Sequence, residues 1–102
     1  MSRYQTTQIN VAATLHAMGY HIIGGHEINA DEAEELQERG EPNARAGSVV
    51  FEVDADPEDE RFLAILPAVE AGQVFPLEVD RRKGHRICQR LIRTYIPRGD
   101  SA

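Results

Sequence analysis

Residues 49–54 read Val-Val-Phe-Glu-Val-Asp, and this short run constrains the fold more than any other part of the chain. Val49, Phe51 and Val53 alternate with Val50, Glu52 and Asp54, the period-two pattern of a half-buried strand. The run is followed by Asp56-Pro57-Glu58-Asp59-Glu60. That segment signals a helix start, with Asp56 as the cap, Pro57 at the first helical position and carboxylates toward the positive end of the helix dipole. A strand over 48–54 that runs directly into a helix needs a pairing partner. The nearest is the β-branched segment 20–28. Too few residues separate the two for a standard helical crossover, so antiparallel pairing is expected. Val49, Phe51 and Val53 should then face the helices.

The remaining elements arrange themselves around that hairpin. Thr6 or Thr7 reads as the cap of a first helix and Gly19 as the left-handed residue that ends it. Ile9, Val11, Ala12, Ala13, Leu15 and Met18 supply a broad apolar arc between them. Gly24-Gly25, inside the first strand, suggests a bulge or a close backbone approach. Residues 31–39 can form a short polar helix stopped by Gly40. Because only Leu36 is strongly apolar there, 29–47 reads as an acidic, mobile, solvated excursion rather than a packed element. After Asp56, the residues Phe62, Leu63, Ile65, Leu66 and Val69 give a second core helix its apolar face. Pro67 should end or kink it, and Gly72 should mark the turn. Segment 75–79 alternates Phe75, Leu77 and Val79 with Pro76 and Glu78. It reads either as a short third strand, on an edge because Pro76 cannot donate, or as the start of the last helix with Pro76 at its first position; the extended reading, with Asp80 as the cap of the last helix, is favoured. The expectation is a single α+β domain over 1–97 with a tail at 98–102 that looks disordered. The sheet is expected to be covered on one face by helices.

The 102 residues fit one domain, and a 41% hydrophobic content with no Trp allows a modest core. A thin core and unpaired strand edges favour a homodimer, through a strand edge or the apolar flank of the last helix. The single cysteine, Cys88, excludes an internal disulfide and any cysteine-based zinc site made by one chain. No apolar stretch approaches a membrane span, and the first ten residues lack the apolar core of a signal peptide. A cytoplasmic protein is the expectation, with no membrane partner.

Charge is segregated along the chain. Residues 1–80 hold four of the eleven Lys and Arg and sixteen of the seventeen Asp and Glu, a net of −12, while residues 81–102 hold seven basic residues and one acidic one, a net of +6. Such a field acts on partners more than on the fold. On a helical wheel of about 100° per residue, Arg82, Arg90 and Arg93 fall within about 40° of Arg86 and Lys83 within about 60°, opposite Ile87, Cys88, Leu91, Ile92 and Tyr95. Solvated helix faces usually interleave acids with bases, and none occurs between 81 and 99. Arg82, Lys83, Arg86, Arg90 and Arg93 are therefore the candidate binding residues. Arginine forks suit carboxylates and phosphates alike. Arg81, Arg82 and Lys83 would also crowd a helix N-terminus, where a bound anion would relieve the conflict with the dipole. An acidic protein surface, on a partner or on a second copy, is one reading. Nucleic acid is the other, weakened by the acidic body and by the lack of aromatics among the arginines.

Other constellations are weaker. The acidic cluster Glu52, Asp54, Asp56, Glu58, Asp59 and Glu60 lacks the EF-hand spacing and is explained by a strand edge and a helix cap. His16, His21, His26 and His85 do not share a helix or strand face, so no metal site is expected. Cys88 reads as a buried, inert thiol, and Gly24-Gly25 lacks the spacing of a phosphate loop. No catalytic constellation and no cofactor motif is present, so a non-catalytic protein is expected.

The opening Tyr4-x-Thr6-Thr7, then Ala12-Ala13 before a Gly19-aromatic step, the strand-to-acidic-helix run Val49 to Glu60, and Val74-Phe75-Pro76 ahead of a basic C-terminal helix together resemble a small uncharacterised family found in bacteria and their phages. The likeness covers most of the chain and departs at 29–47, where a short hairpin turn would be expected. It implies the order of the elements and a phage or mobile-element association. It implies no catalytic residue and no ligand.

Overall fold

The computed structural model describes residues 3–41 and 44–95, so the tail expected over 98–102 lies outside the described residues. The protein is α+β: β1 (Tyr4–Thr6), α1 (Ile9–Ala17), β2 (Ile22–Glu27), α2 (Ala30–Glu38), β3 (Val49–Val53), α3 (Glu60–Glu70) and α4 (Glu78–Tyr95). The three strands form an antiparallel sheet in the order β1-β3-β2.

β3 is central and pairs with β2 as expected, Gly25 opposite Phe51 and Glu27 opposite Val49. Its second neighbour is β1, with Tyr4 opposite Val53 and Thr6 opposite Phe51. The third strand thus comes from the N-terminus and not from 75–79. There the alternation buries nothing: Phe75 is 89% and Leu77 72% exposed. The last helix starts at Glu78, where the Leu77 carbonyl accepts the Arg81 N–H at 3.0 Å. Asp80 is therefore inside the first turn rather than at the cap.

Gly24-Gly25 plays both of the parts expected of it. The β2 register shifts between Ile22 and Gly24, and one residue more on β2 than on β3 exchanges the faces of every side chain beyond it. A Cβ at Gly25 would lie 2.7 Å from the Val50 carbonyl oxygen, so only glycine permits the strand spacing there.

Helices cover the sheet on both faces, not one. Val49, Phe51 and Val53 are buried under α1, α3 and α4, in clusters that include Leu15, Phe62 and Val69 on one side and Ala12 and Cys88 on the other. Tyr4 and Tyr20 pack edge-on against the Phe62 ring at centroid distances of 5.0 and 5.3 Å. On the opposite face Val50 is fully buried among Ile28, Ala33, Leu36 and Ala44. Residues 30–38 are thus a packed element, against the expectation of a solvated excursion. Ala33 and Leu36 suffice because Val50 of β3 and the flanking Ile28 and Ala44 complete the cluster. Asn29 caps α2 by accepting the Glu32 N–H at 2.8 Å, and Gly40 turns the chain out with φ 81°.

Two further helix ends differ from expectation. Neither Thr6 nor Thr7 caps α1; the cap position is Gln8, without a side-chain bond. The Thr hydroxyls and the Thr7 N–H all donate to one Glu41 carboxylate oxygen, at 2.7 to 3.1 Å, which ties the end of α2 to the β1–α1 turn. α3 begins later than Asp56, at an Asp59 cap that accepts the Phe62 N–H. Asp56 instead closes a turn by accepting the Glu58 N–H at 2.9 Å. Pro67 stays inside α3, which continues to Glu70. Leu63 and Pro67 are exposed, so the carbonyl that Pro67 leaves without a donor is on the side water can reach. Gly72 marks the turn with φ 72°.

Candidate binding surface on the C-terminal helix

α4 is held by its small residues. Gly84 and Cys88 are its buried positions, and they face α1, whose Ala12 and Ala13 are fully buried. A Cβ on Gly84 would approach the Ala13 Cα at 2.9 Å and its carbonyl oxygen at 3.0 Å. The two helix backbones therefore cross in near contact. Farther along, Leu91 reaches over Gly25 of β2, and Ile87 and Ile92 pack beside it. With that side of α4 fixed, the helical period turns Arg82, Lys83, Arg86, Arg90 and Arg93 outward, and all five are exposed.

The structure brings together every residue expected to bind, and adds Glu78, which sequence reasoning missed. Its carboxylate accepts from Arg81 at 2.8 Å and from Arg82 at 3.3 Å. The hydrogen bond from Arg81 holds the Glu78 carboxyl below its usual range and raises Arg81 in return. Glu78 and Asp80 stand in the first turn of α4, where acids suit the dipole. That placement removes the conflict of Arg81, Arg82 and Lys83 with the helix N-terminus, and with it the argument for an anion bound there. The signal was available: Glu78 lies three and four residues before Arg81 and Arg82, the spacing of a helical ion pair. Lys83, Arg86, Arg90 and Arg93 have no ion pair among the described residues. Beside them an open groove of about 280 Å³ is lined by Glu78, Arg81, Arg82, His85, Arg86 and Gln89.

The other candidates separate in space. Glu52 faces the α2 side of the sheet, 3.6 Å from His26, while Asp56 and Asp59 are engaged with backbone N–H groups ahead of α3. They do not converge on one point. Among the described residues no group of three or more His, Cys, Asp or Glu is placed to hold a metal ion. His16 accepts the Ile22 N–H on Nδ1 at 3.1 Å, and burial lowers its pKa, assisted by His21. The bulge in β2 turns His26 to the α2 face, where it meets Glu32 as well as Glu52. Cys88 is fully buried, and burial pushes its thiol up to about 12, so it stays protonated and unreactive.

Chemically the α4 surface offers rigid, permanently charged forks on a helix that cannot shift without breaking the Gly84 contact. It suits a carboxylate- or phosphate-bearing surface. Among the described residues no helix is long and apolar enough to cross a membrane. Comparison with protein-family models, with curated proteins and with solved structures finds no match to this chain.

Proposed function

We propose that this protein is a small, non-catalytic interaction protein whose α4 face engages an acidic protein surface. One observation carries the reading: Arg82, Lys83, Arg86, Arg90 and Arg93 lie exposed on one face, and four of the five have no carboxylate within the described residues to neutralise them. An exposed stripe of one sign steers and selects oppositely charged partners. The setting that goes with this reading is cytoplasmic. The resemblance to a bacterial and phage family adds an association with phage or mobile elements.

A nucleic-acid-binding accessory role is the second reading, favoured by the fit of arginine forks to phosphate. Against it stand the net charge of −6 and the composition of the stripe. Tyr95, the one Phe, Tyr or Trp of α4, lies half a turn from Arg86 and cannot stack a base held on the arginines.

The two readings separate in one titration. Labelled poly-glutamate, single- and double-stranded DNA, and RNA are each titrated with the protein at about 25 mM and about 500 mM salt. The expected result is salt-sensitive binding of poly-glutamate, abolished by Arg86→Glu with Arg90→Glu. Tighter binding of DNA or RNA would favour the second reading. Silence toward all four at low salt would overturn both.

A further inference from the structure

The geometry points to a second copy of this chain as an acidic partner of α4, presented by the outer face of α2. This inference rests on the reading of α4 as a binding surface. α2 turns Ala33 and Leu36 into the sheet and leaves Asp31, Glu34, Glu35 and Glu38 exposed. With Asp31 at zero on the wheel, Glu35 lies at about +40°, Glu38 at about −20° and Glu34 at about −60°. The four carboxylates thus form a stripe about 10 Å long, and Arg82 to Arg90 spans about 12 Å at the same rise per residue. None of the four has an ion pair among the described residues; Glu32, which points aside, is the α2 carboxylate that meets His26.

Topology prevents one copy from using both stripes on itself. α2 packs on the Val50 face of the sheet and α4 on the face of Val49 and Phe51, so the sheet stands between them. A two-fold contact of α4 with α4 would bring two arginine stripes together, which like-charge repulsion opposes. The complementary contact joins α4 of one copy to α2 of the next. It is heterologous and leaves an unused stripe at each end of a pair. It therefore differs from the homodimer through a strand edge or the apolar flank of the last helix that the thin core leads one to expect. The strength comes from charge on exposed surfaces, so the association is weak and salt-sensitive.

Light scattering over a concentration series tests it. At about 25 mM salt the average mass should rise with concentration above the 11.4 kDa of the monomer, and at about 500 mM salt it should return to it. Arg86→Glu with Arg90→Glu should abolish the rise, and so should Glu34→Arg with Glu38→Arg. An equimolar mixture of these two variants should associate although neither does alone, because each supplies the stripe the other has reversed. Circular dichroism checks that both variants fold. A wild-type chain that stays monomeric at high micromolar concentration and low salt overturns the inference, as does association that survives high salt or a mixture that stays monomeric. If the wild type is monomeric but still binds poly-glutamate through Arg86 and Arg90, the self-contact falls and the reading of α4 stands.

Discussion

On the face that carries Val49, Phe51 and Val53, three helices close over the sheet, and the buried residues there include Leu15, Phe62 and Cys88. On the face that carries Val50, α2 is the covering helix among the described residues, its Ala33 and Leu36 packing with Ile28 and Ala44 on either side of it. The first face is held by apolar burial and by helix backbones in near contact. The second adds polar ties to a small cluster: Glu41 holds the Thr6–Thr7 turn, Gln37 donates to the Ala44 carbonyl at 2.6 Å, and His26 meets Glu32. Apolar burial scales with area, whereas each such hydrogen bond contributes only about 1 kcal/mol net. The three-helix face should therefore set global stability, and α2 should be the part that opens first.

The largest test of that contrast is a pair of truncations. Phe62→Ala empties a fully buried ring site contacted by Tyr4 and Tyr20 and should cost about 3–5 kcal/mol, whereas Leu36→Ala should lie near the low end of its class, about 2 kcal/mol. Urea unfolding gives both values. Hydrogen exchange should show the Leu36 variant loosening α2 while β3 stays protected. Equal losses for the two variants would mean that the α2 face is as much a part of the core as the other.

Gly84 offers a smaller and sharper test of the three-helix face. Alanine in place of a mid-helix glycine ordinarily stabilises by about 1 kcal/mol. Here the new Cβ would stand 2.9 Å from backbone of Ala13, and neither helix can yield by moving a side-chain tip. Overpacking of this kind costs about 1–3 kcal/mol. Gly84→Ala should thus be net destabilising by about 1 kcal/mol in denaturant titration. A stabilised variant would show that α4 can slide on α1.

A pH effect of lesser size comes from His16, at the joint between α1 and β2. Its Nδ1 must be unprotonated to accept the Ile22 N–H, and burial lowers its pKa from the ordinary 6.5. The unfolded chain then binds more protons than the folded one just below that value. Stability is complete above about 6.5 and declines as pH falls through the folded pKa. Urea midpoints measured at about pH 7.5 and about pH 5.5 should fall by less in His16→Gln than in the wild type. Every other ionisable group is common to the wild type and the variant, so an identical fall would acquit His16.

The parts legible in the sequence are those fixed by local periodicity. The alternation of Val49, Phe51 and Val53 gave β3 its pairing with β2, and the 3.6-residue period placed the α4 arginines on one exposed face before any neighbour was known. The parts that escaped depend on neighbours distant in the chain. Tyr4-Gln5-Thr6 is too short to show a period and is a strand only because the far edge of β3 is open to it. α2 looks solvated by composition, yet the consecutive apolar residues Val49, Val50 and Phe51 already implied that both sheet faces are covered. Gly84 carried no turn signal, and its role appears only where α1 crosses it. A cap at Asp80 puts the start of α4 three residues late, and that shift alone makes Glu78 part of an extended segment instead of a partner of Arg81 and Arg82.

The smallest expected effect on stability is also the one that bears on function. Arg86 and Arg90 are exposed and unpaired on a helix whose opposite side carries its packing. Reversing both charges breaks no ion pair among the described residues. Each substitution should stay within about 0.5 kcal/mol of the wild type. A modest gain is consistent with relief of repulsion among neighbouring arginines four residues apart. Charge-dependent binding should be lost in the same variant. The comparison is with Arg81, which is half-buried and bonded to Glu78; its replacement should change the local helix end and leave the stripe in place. If reversal at Arg86 and Arg90 instead unfolds the chain, these arginines belong to the fold, and α4 has no face to spare for a partner.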